Sequence, residues 1–261
     1  MLPDRKGSGG QELDARIQAY LRDVTARERE TERIGPFLAT FSRSSANPFL
    51  NYAIPDDGAA PSADEIADLI RSYERHGLRP RLEYITRSAP LVEAPLLEAG
   101  FRVEGRLALM TSRRGEECTP PIPPGIELRR PETDGELLGV RTVQHEAYGE
   151  PEPATKEDAQ RVAANLRAGG MAVLARVQDT GEPVGAGEYT PILDGVTEIT
   201  SIAVRAPYRR RGIAAAMTVW LARAALAAGA TVPFLMANEA EERIYARAGF
   251  RTTSSVLHIS R

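Results

Sequence analysis

Apolar residues at Leu13, Ile17, Tyr20, Leu21 and Val24 recur at steps of three and four, the spacing that lines one face of a helix. Two β-like runs follow, at 37–41 and 49–54. A second helix is predicted over 63–73, with Ser62 as its N-cap and Glu65 at the third position to close a capping box. The pattern then predicts a strand at 82–86, a helix over 91–99 stopped by Gly100, and an alternating strand over 101–111. Beyond residue 125 the predicted order is strand 126–130, helix 134–147, helix 156–167 and strand 172–177. A strand over 184–193 leads through Asp194-Gly195, a hairpin pair, into a strand over 196–204. A long helix over 212–228, a strand at 232–237, a helix over 240–248 and a strand from Phe250 complete the chain. The fold class is α+β, with one antiparallel meander and one βαβ step.

Residues 113–125 hold four prolines and no apolar periodicity, so they read as a stiff linker. At roughly 150 residues per domain, a chain of 261 residues has room for two small domains. The expected division is 1–112, linker 113–125, and 126–261. One internal echo supports a repeat: LLEAGFR at 96–102 matches YARAGFR at 245–251, each after a strand and helix and before a closing strand.

Composition is that of a globular protein, 42% hydrophobic and 26% charged, which excludes disordered and disulfide-scaffold chains. A single cysteine, Cys118, excludes an intrachain disulfide and fits a reducing compartment; its place in the proline linker makes it a poor candidate for a thiol nucleophile. The first ten residues have no apolar stretch of a signal sequence, and the longest uncharged run, 224–238, is too short to span a bilayer, so a cytoplasmic location is expected. A net charge of −3 argues against a chain built to wrap nucleic acid. The charge is uneven, however: residues 199–261 hold nine Arg against Glu239, Glu241 and Glu242, which allows a local anion site in the last quarter.

That site is predicted at Ile202-Ala-Val-Arg-Ala-Pro-Tyr-Arg-Arg-Arg-Gly-Ile-Ala214. A strand ends near Val204, Pro207 prevents its continuation, and a helix starts near Gly212 with small first residues. The amides at such a start attract an anion, and Gly212 and Ala214 let a phosphate approach the backbone. Arg209, Arg210 and Arg211 supply counter-charge. In isolation an Arg-Arg-Arg-Gly run reads equally as a solvated basic loop.

The Arg-x-x-Gly-x-Ala of residues 209–214 resembles the acyl-CoA pyrophosphate loop of the GNAT superfamily of acyl-CoA-dependent N-acyltransferases. The order of elements from Ile126 onward is similar to that family's, as are Asn238 at the end of the next strand and Tyr245 before Ala-Arg-Ala-Gly-Phe250. The resemblance covers about half of the chain. It implies acetyl-CoA as cofactor and an N-acetyltransferase that passes the acetyl group to a primary amine by direct attack. Ile202 and Val204 would hold the pantetheine arm and the thioester carbonyl. Arg209, Arg211, Gly212, Ile213 and Ala214 would hold the pyrophosphate, and Asn238 would bond the arm. Tyr245 would donate a proton to, or hydrogen-bond, the departing thiolate. Glu198, six residues before Val204 and so about 20 Å along an extended strand, is the candidate base; a solvent-facing strand glutamate is the other reading.

His145 reads as a helix-end surface residue, and His258 and Trp220 as packing. Residues 132–158 carry eight acids against Arg141 and Lys156, a balance that would favour a cationic amine if it lines a cleft. The acceptor is expected to be a small-molecule or peptide amine, with no nucleic acid, membrane or metal; a homodimer is left open. The offset of the echo sets Ala89 opposite Asn238 and Leu96 opposite Tyr245, so the N-terminal half looks like a degenerate, partial GNAT-like module without cofactor groups. Two GNAT-like modules, each a mostly antiparallel mixed sheet with flanking helices, are therefore expected. The alternative from another class is a non-catalytic acyl-CoA-binding or regulatory module.

Overall fold

The computed structural model describes residues 5–43, 45–112 and 120–261. In chain order its elements are α1 (Arg5–Glu28), β1 (Glu30–Ile34), β2 (Phe37–Phe41), β3 (Ala53–Pro55), α2 (Ala63–Arg75), β4 (Arg81–Ile85), α3 (Glu93–Glu98) and β5 (Arg102–Thr111). The second half runs β6 (Ile126–Arg129), α4 (Asp134–Tyr148), α5 (Lys156–Arg167), β7 (Met171–Val177), β8 (Pro183–Tyr189), β9 (Val196–Val204), α6 (Ile213–Ala227), β10 (Val232–Ala237), α7 (Glu239–Arg247) and β11 (Arg251–Ser260). Among the described residues no helix is long and apolar enough to cross a membrane.

The chain divides into two compact units: one runs up to Leu109 and adds Thr252–Arg261, the other is Met110–Arg251. Most of the linker expected at 113–125, Cys118 included, lies outside the described residues. The expected boundary at the far end is corrected. The last strand does not stay with 126–251: β11 lies antiparallel to β4, with Val256 opposite Ile85 and Ser260 opposite Arg81. Local periodicity shows that 251–260 is a strand but carries no information about which strand it joins.

In the first unit the strand order is β1-β2-β3-β4-β11-β5. The amphipathic faces of α2 and α3 close a core in which Ile66, Leu69 and Tyr73 meet Leu82, Tyr84, Leu96, Leu257 and Ile259. The predicted capping box at Ser62 and Glu65 is present. β1, Glu-Thr-Glu-Arg-Ile, buries only Ile34 and forms the sheet edge, which is why hydrophobic patterning misses it. The strand expected over 49–54 is shorter: Pro48–Leu50 is a 3-10 turn and pairing starts at Ala53.

The echo seen in sequence has the same geometry in both places. Phe101 donates its N–H to the Leu96 carbonyl and Phe250 to the Tyr245 carbonyl, each at 3.0 Å. Gly100 and Gly249 supply the left-handed residue that this helix exit requires, at φ +87° and +88°.

β11 is held in the first unit by ionic contacts as well as by its ladder. Arg81, 1% exposed, pairs with Glu83 and with Glu104 at 2.8 Å, and Ser260 Oγ donates to Glu104 at 2.6 Å. An Arg81 N–H lies 3.2 Å from His258 Nδ1, so that nitrogen accepts and the ring is neutral. Burial pushes the His258 imidazole below its ordinary value.

In the second unit the order is β10-β9-β8-β7-β6. β9, α6 and the parallel β10 form the expected βαβ step, and Asp194 and Gly195 close the hairpin with φ +48° and +76°. α4 and α5 pack Val140, Val143 and Val162 on Ala172, Leu174, Ala186 and Ala203.

A histidine whose folded pKa is depressed stabilises the fold above its unfolded value of about 6.5 and loses that contribution as pH falls below it. Thermal unfolding should therefore show a midpoint that drops between pH 7 and pH 5. In His258→Asn, whose side-chain oxygen can still accept from Arg81, this drop should be visibly smaller.

Candidate active site

The site is built on two breaks in regular structure. The first is the start of α6. Gly212 is its N-cap at φ +88°, with no side-chain cap, and a Cβ placed there would meet nothing within 4 Å. No side chain caps the first amides of the helix, which start beside Arg210 at φ +61°. α2 offers the contrast, because Ser62 and the Glu65 carboxylate already close its N-terminus.

The second break is in β9. Glu188 pairs with Thr200, but Ala186 pairs with Ala203, so one extra residue is accommodated around Ser201. Ser201 takes φ +57°. Above the slip, Thr190 N–H bonds to the Glu198 carbonyl at 3.0 Å; below it, Arg205 N–H bonds to the Val184 carbonyl at 2.9 Å. Bonded pairs alternate along an antiparallel ladder, so 203 faces 186 while Ile202 and Val204 turn their amides and carbonyls away from β8. On the other side of β9, pairing with β10 runs only from Val196 to Glu198. Glu198 stands where the two parallel strands part, half-buried.

The remaining sequence candidates lie in the segment after β9, at the N-cap of α7 and within α7. Arg209 does not project toward the α6 amides alone: its Nε donates to the Val204 carbonyl at 3.0 Å and an Nη to the Ala147 carbonyl at 3.1 Å, joining the end of β9 to the end of α4. Arg211 lies over the Tyr208 ring, 5.2 Å from its centre. Asn238 is the N-cap of α7, its side-chain oxygen accepting from Glu241 N–H at 3.1 Å, which leaves the amide nitrogen as the donor. Tyr245 is 8% exposed. Burial, with Glu241 and Tyr148 nearby, pushes its hydroxyl well above the usual tyrosine value, so it remains protonated.

Three acids of the stretch 132–158 have local or ion-pair partners. Glu136 closes the capping box on Thr133 and meets Arg129 at 3.3 Å; the Glu132 and Thr133 amides hold its carboxyl below the usual range. Asp158 caps α5 and meets Arg161 at 3.1 Å, and Glu146 takes Arg205 at 2.7 and 3.0 Å. These acids serve helix starts and ion pairs. His145 Nδ1 lies 3.2 Å from the Glu152 carbonyl, at the helix end where it was expected.

Three residues at the site escaped the sequence reading. Tyr148 donates its hydroxyl to the Ile202 carbonyl at 3.3 Å. Gln144 and Glu188 are 2% and 4% exposed. Gln144 Nε2 donates to Glu188 and to the Ser201 carbonyl, each at 3.2 Å, and Asn165 donates to the other Glu188 oxygen at 3.0 Å. The only sequence signal for them is a glutamate inside the small-residue strand VGAGEY.

The chain is similar to known proteins in sequence and in fold. Residues 137–250 match the model of the acetyltransferase (GNAT) family. A GCN5-related N-acetyltransferase from Kribbella flavida superposes with a TM-score of 0.79 at 24% identity, over 95% of each chain. A tandem GNAT protein from the clavulanic acid biosynthesis pathway superposes over 100% of this chain and 96% of its own, with a TM-score of 0.64 at 12% identity. No curated protein sequence matches. The tandem neighbour spans the whole chain, as two GNAT-like modules require.

Because Arg209 bridges two backbone carbonyls, Arg209→Ala should lower the unfolding midpoint, at a cost of about 1 kcal/mol. Arg210→Ala, for which no such bridge exists, should leave the midpoint within a degree or two of the parent, about 0.5 kcal/mol or less. Differential scanning calorimetry of the two variants checks this.

Proposed function

We propose that this protein, whose residues 137–250 match the acetyltransferase (GNAT) family model, is an acetyl-CoA-dependent N-acetyltransferase acting on a primary amine. One observation carries the reading: an uncapped helix start with open space over Gly212 lies directly after a strand whose Ile202 and Val204 backbone groups are turned out of the ladder. The first element suits a pyrophosphate and the second an extended arm with amide groups. Acetyl-CoA would bring the activated thioester.

The chain's own groups divide the work. Amides at 212–214, with Arg211, would hold the pyrophosphate; Ile202 and Val204 would align the arm, with the Asn238 amide nitrogen as a further donor. As the amine nitrogen forms its bond to the acyl carbon, the C–S bond breaks. Glu198, at the fork, would take the amine proton directly or through a water. The thiolate carries away the electron pair. Tyr245 would stabilise it as a hydrogen-bond donor rather than by full proton transfer, because its raised pKa lies above that of a thiol, about 8.5. Glu136, Glu146 and Asp158 are engaged in caps and ion pairs, and small-molecule and peptide amines both fit the chemistry.

Calorimetry with CoA should give one site per chain, because α2, the corresponding helix start of the first unit, is closed by its own carboxylate. Gly212→Val should lower that affinity by about tenfold or more, through backbone strain at φ +88° and a side chain in the anion's space. On an acceptor found from an amine panel, Tyr245→Phe and Glu198→Gln should each reduce kcat by about tenfold or more while CoA affinity changes little. CoA binding without turnover on any amine would favour a non-catalytic acyl-CoA-binding module instead.

A further inference from the structure

Ser201 is the one β9 residue in a left-handed conformation, which is strained for a residue with a Cβ. If the register at Glu188 and Thr200 continued, Ile202 and Val204 would bond to Ala186 and Val184 of β8 and be closed to any ligand. Something must hold the extra residue in place. Its carbonyl is left out of the ladder, and the group that satisfies it is the buried Gln144 amide on α4.

A glutamine amide can face either way, and only one way presents N–H to Ser201. The orientation is set by its other neighbours. Arg141, which can only donate, gives an N–H to Gln144 Oε1 at 3.0 Å; Glu188, whose carboxylate accepts, takes Nε2 at 3.2 Å. Asn165 on α5 donates to the second Glu188 oxygen and to the Tyr189 carbonyl, fixing the carboxylate itself. Arg141 Nη1 also lies 3.7 Å from Glu188.

We propose that Glu188 is a positioning residue: through Gln144 it holds the one-residue slip at Ser201, and so keeps the Ile202 and Val204 amides turned out of the β8 ladder and available to the cofactor arm. This rests on the acyl-CoA reading of the site. Glu188 has no contact with the arm in this scheme; it acts through Gln144 on the strand. In Glu188→Gln, one of the two amide donors now facing an acceptor would face an NH2 group. Gln144 could relieve the conflict only by turning its oxygen toward the Ser201 carbonyl.

The test uses calorimetry on the full chain with two ligands, CoA and 3′-phospho-ADP, the CoA head group without its arm. Glu188→Gln is expected to weaken CoA by about tenfold or more and to leave 3′-phospho-ADP within about twofold of the parent. Gln144→Leu should give the same split, and the double variant should be no weaker than either single one, because both act on one carbonyl. Equal losses for both ligands, unchanged CoA affinity, or failure of both variants to fold would overturn the proposal in favour of a purely structural role. A parent protein that binds the head group as tightly as CoA would also overturn it, while leaving the pyrophosphate site intact. A parent that binds neither ligand would overturn the acyl-CoA reading itself, and the proposal with it.

Discussion

One extra residue in β9 governs the geometry of the second unit. A strand between two neighbours normally has every amide and carbonyl bonded, which leaves nothing for a ligand. Here the slip at Ser201 turns Ile202 and Val204 out of the β8 ladder, while the β10 ladder has already ended at Glu198. On that side the last residues thus pair with no strand, and their carbonyls at Ile202 and Val204 take Tyr148 and Arg209 instead, just before the chain turns into α6. The conformational cost at Ser201 and the orphaned carbonyl are offset by buried groups on α4, α5 and β8, so the helices that cover the sheet also hold its irregularity.

The two units use related helix starts in opposite ways. α2 satisfies its first amides with Ser62 and Glu65, which closes it to anions; α6 begins at a glycine and leaves its amides to whatever arrives. The difference lies in the capping side chains and in the cap backbone, extended at Ser62 and left-handed at Gly212. It fits the echo between the halves, where the same helix exit recurs with Tyr245 in one copy and the fully buried Leu96 in the other. Leucine there serves packing alone, and Ala89, opposite Asn238, is likewise core.

The last strand joins the first unit, where His258 and Ser260 complete a buried ionic group around Arg81 and Glu104. Such a group is costly to bury unless each member has its partners. Its members come from β4, β5 and β11, so the cluster specifies which strand occupies that place. Apolar residues of β11 alone, Val256, Leu257 and Ile259, would fit many sheets equally well.

Local chemistry alone determined most of the elements. The capping boxes, the Asp194-Gly195 hairpin, the glycine helix exits and the run from Pro207 to Gly212 each follow from a few adjacent residues, because caps and turns are satisfied within one turn of chain. The strand end, break and helix start between Ile202 and Ala214 are legible for the same reason. β1 was not legible, since an edge strand needs only one buried side chain. The tertiary structure alone decided the rest: that β11 leaves the second unit, that Arg209 ties Val204 to Ala147, that Glu146 pairs with Arg205, and that Gln144 and Glu188 hold Ser201 from positions 57 and 13 residues away in the chain. Each of these is a polar contact between distant segments. Hydrophobic periodicity records which face of an element is buried and does not record which polar group meets it there.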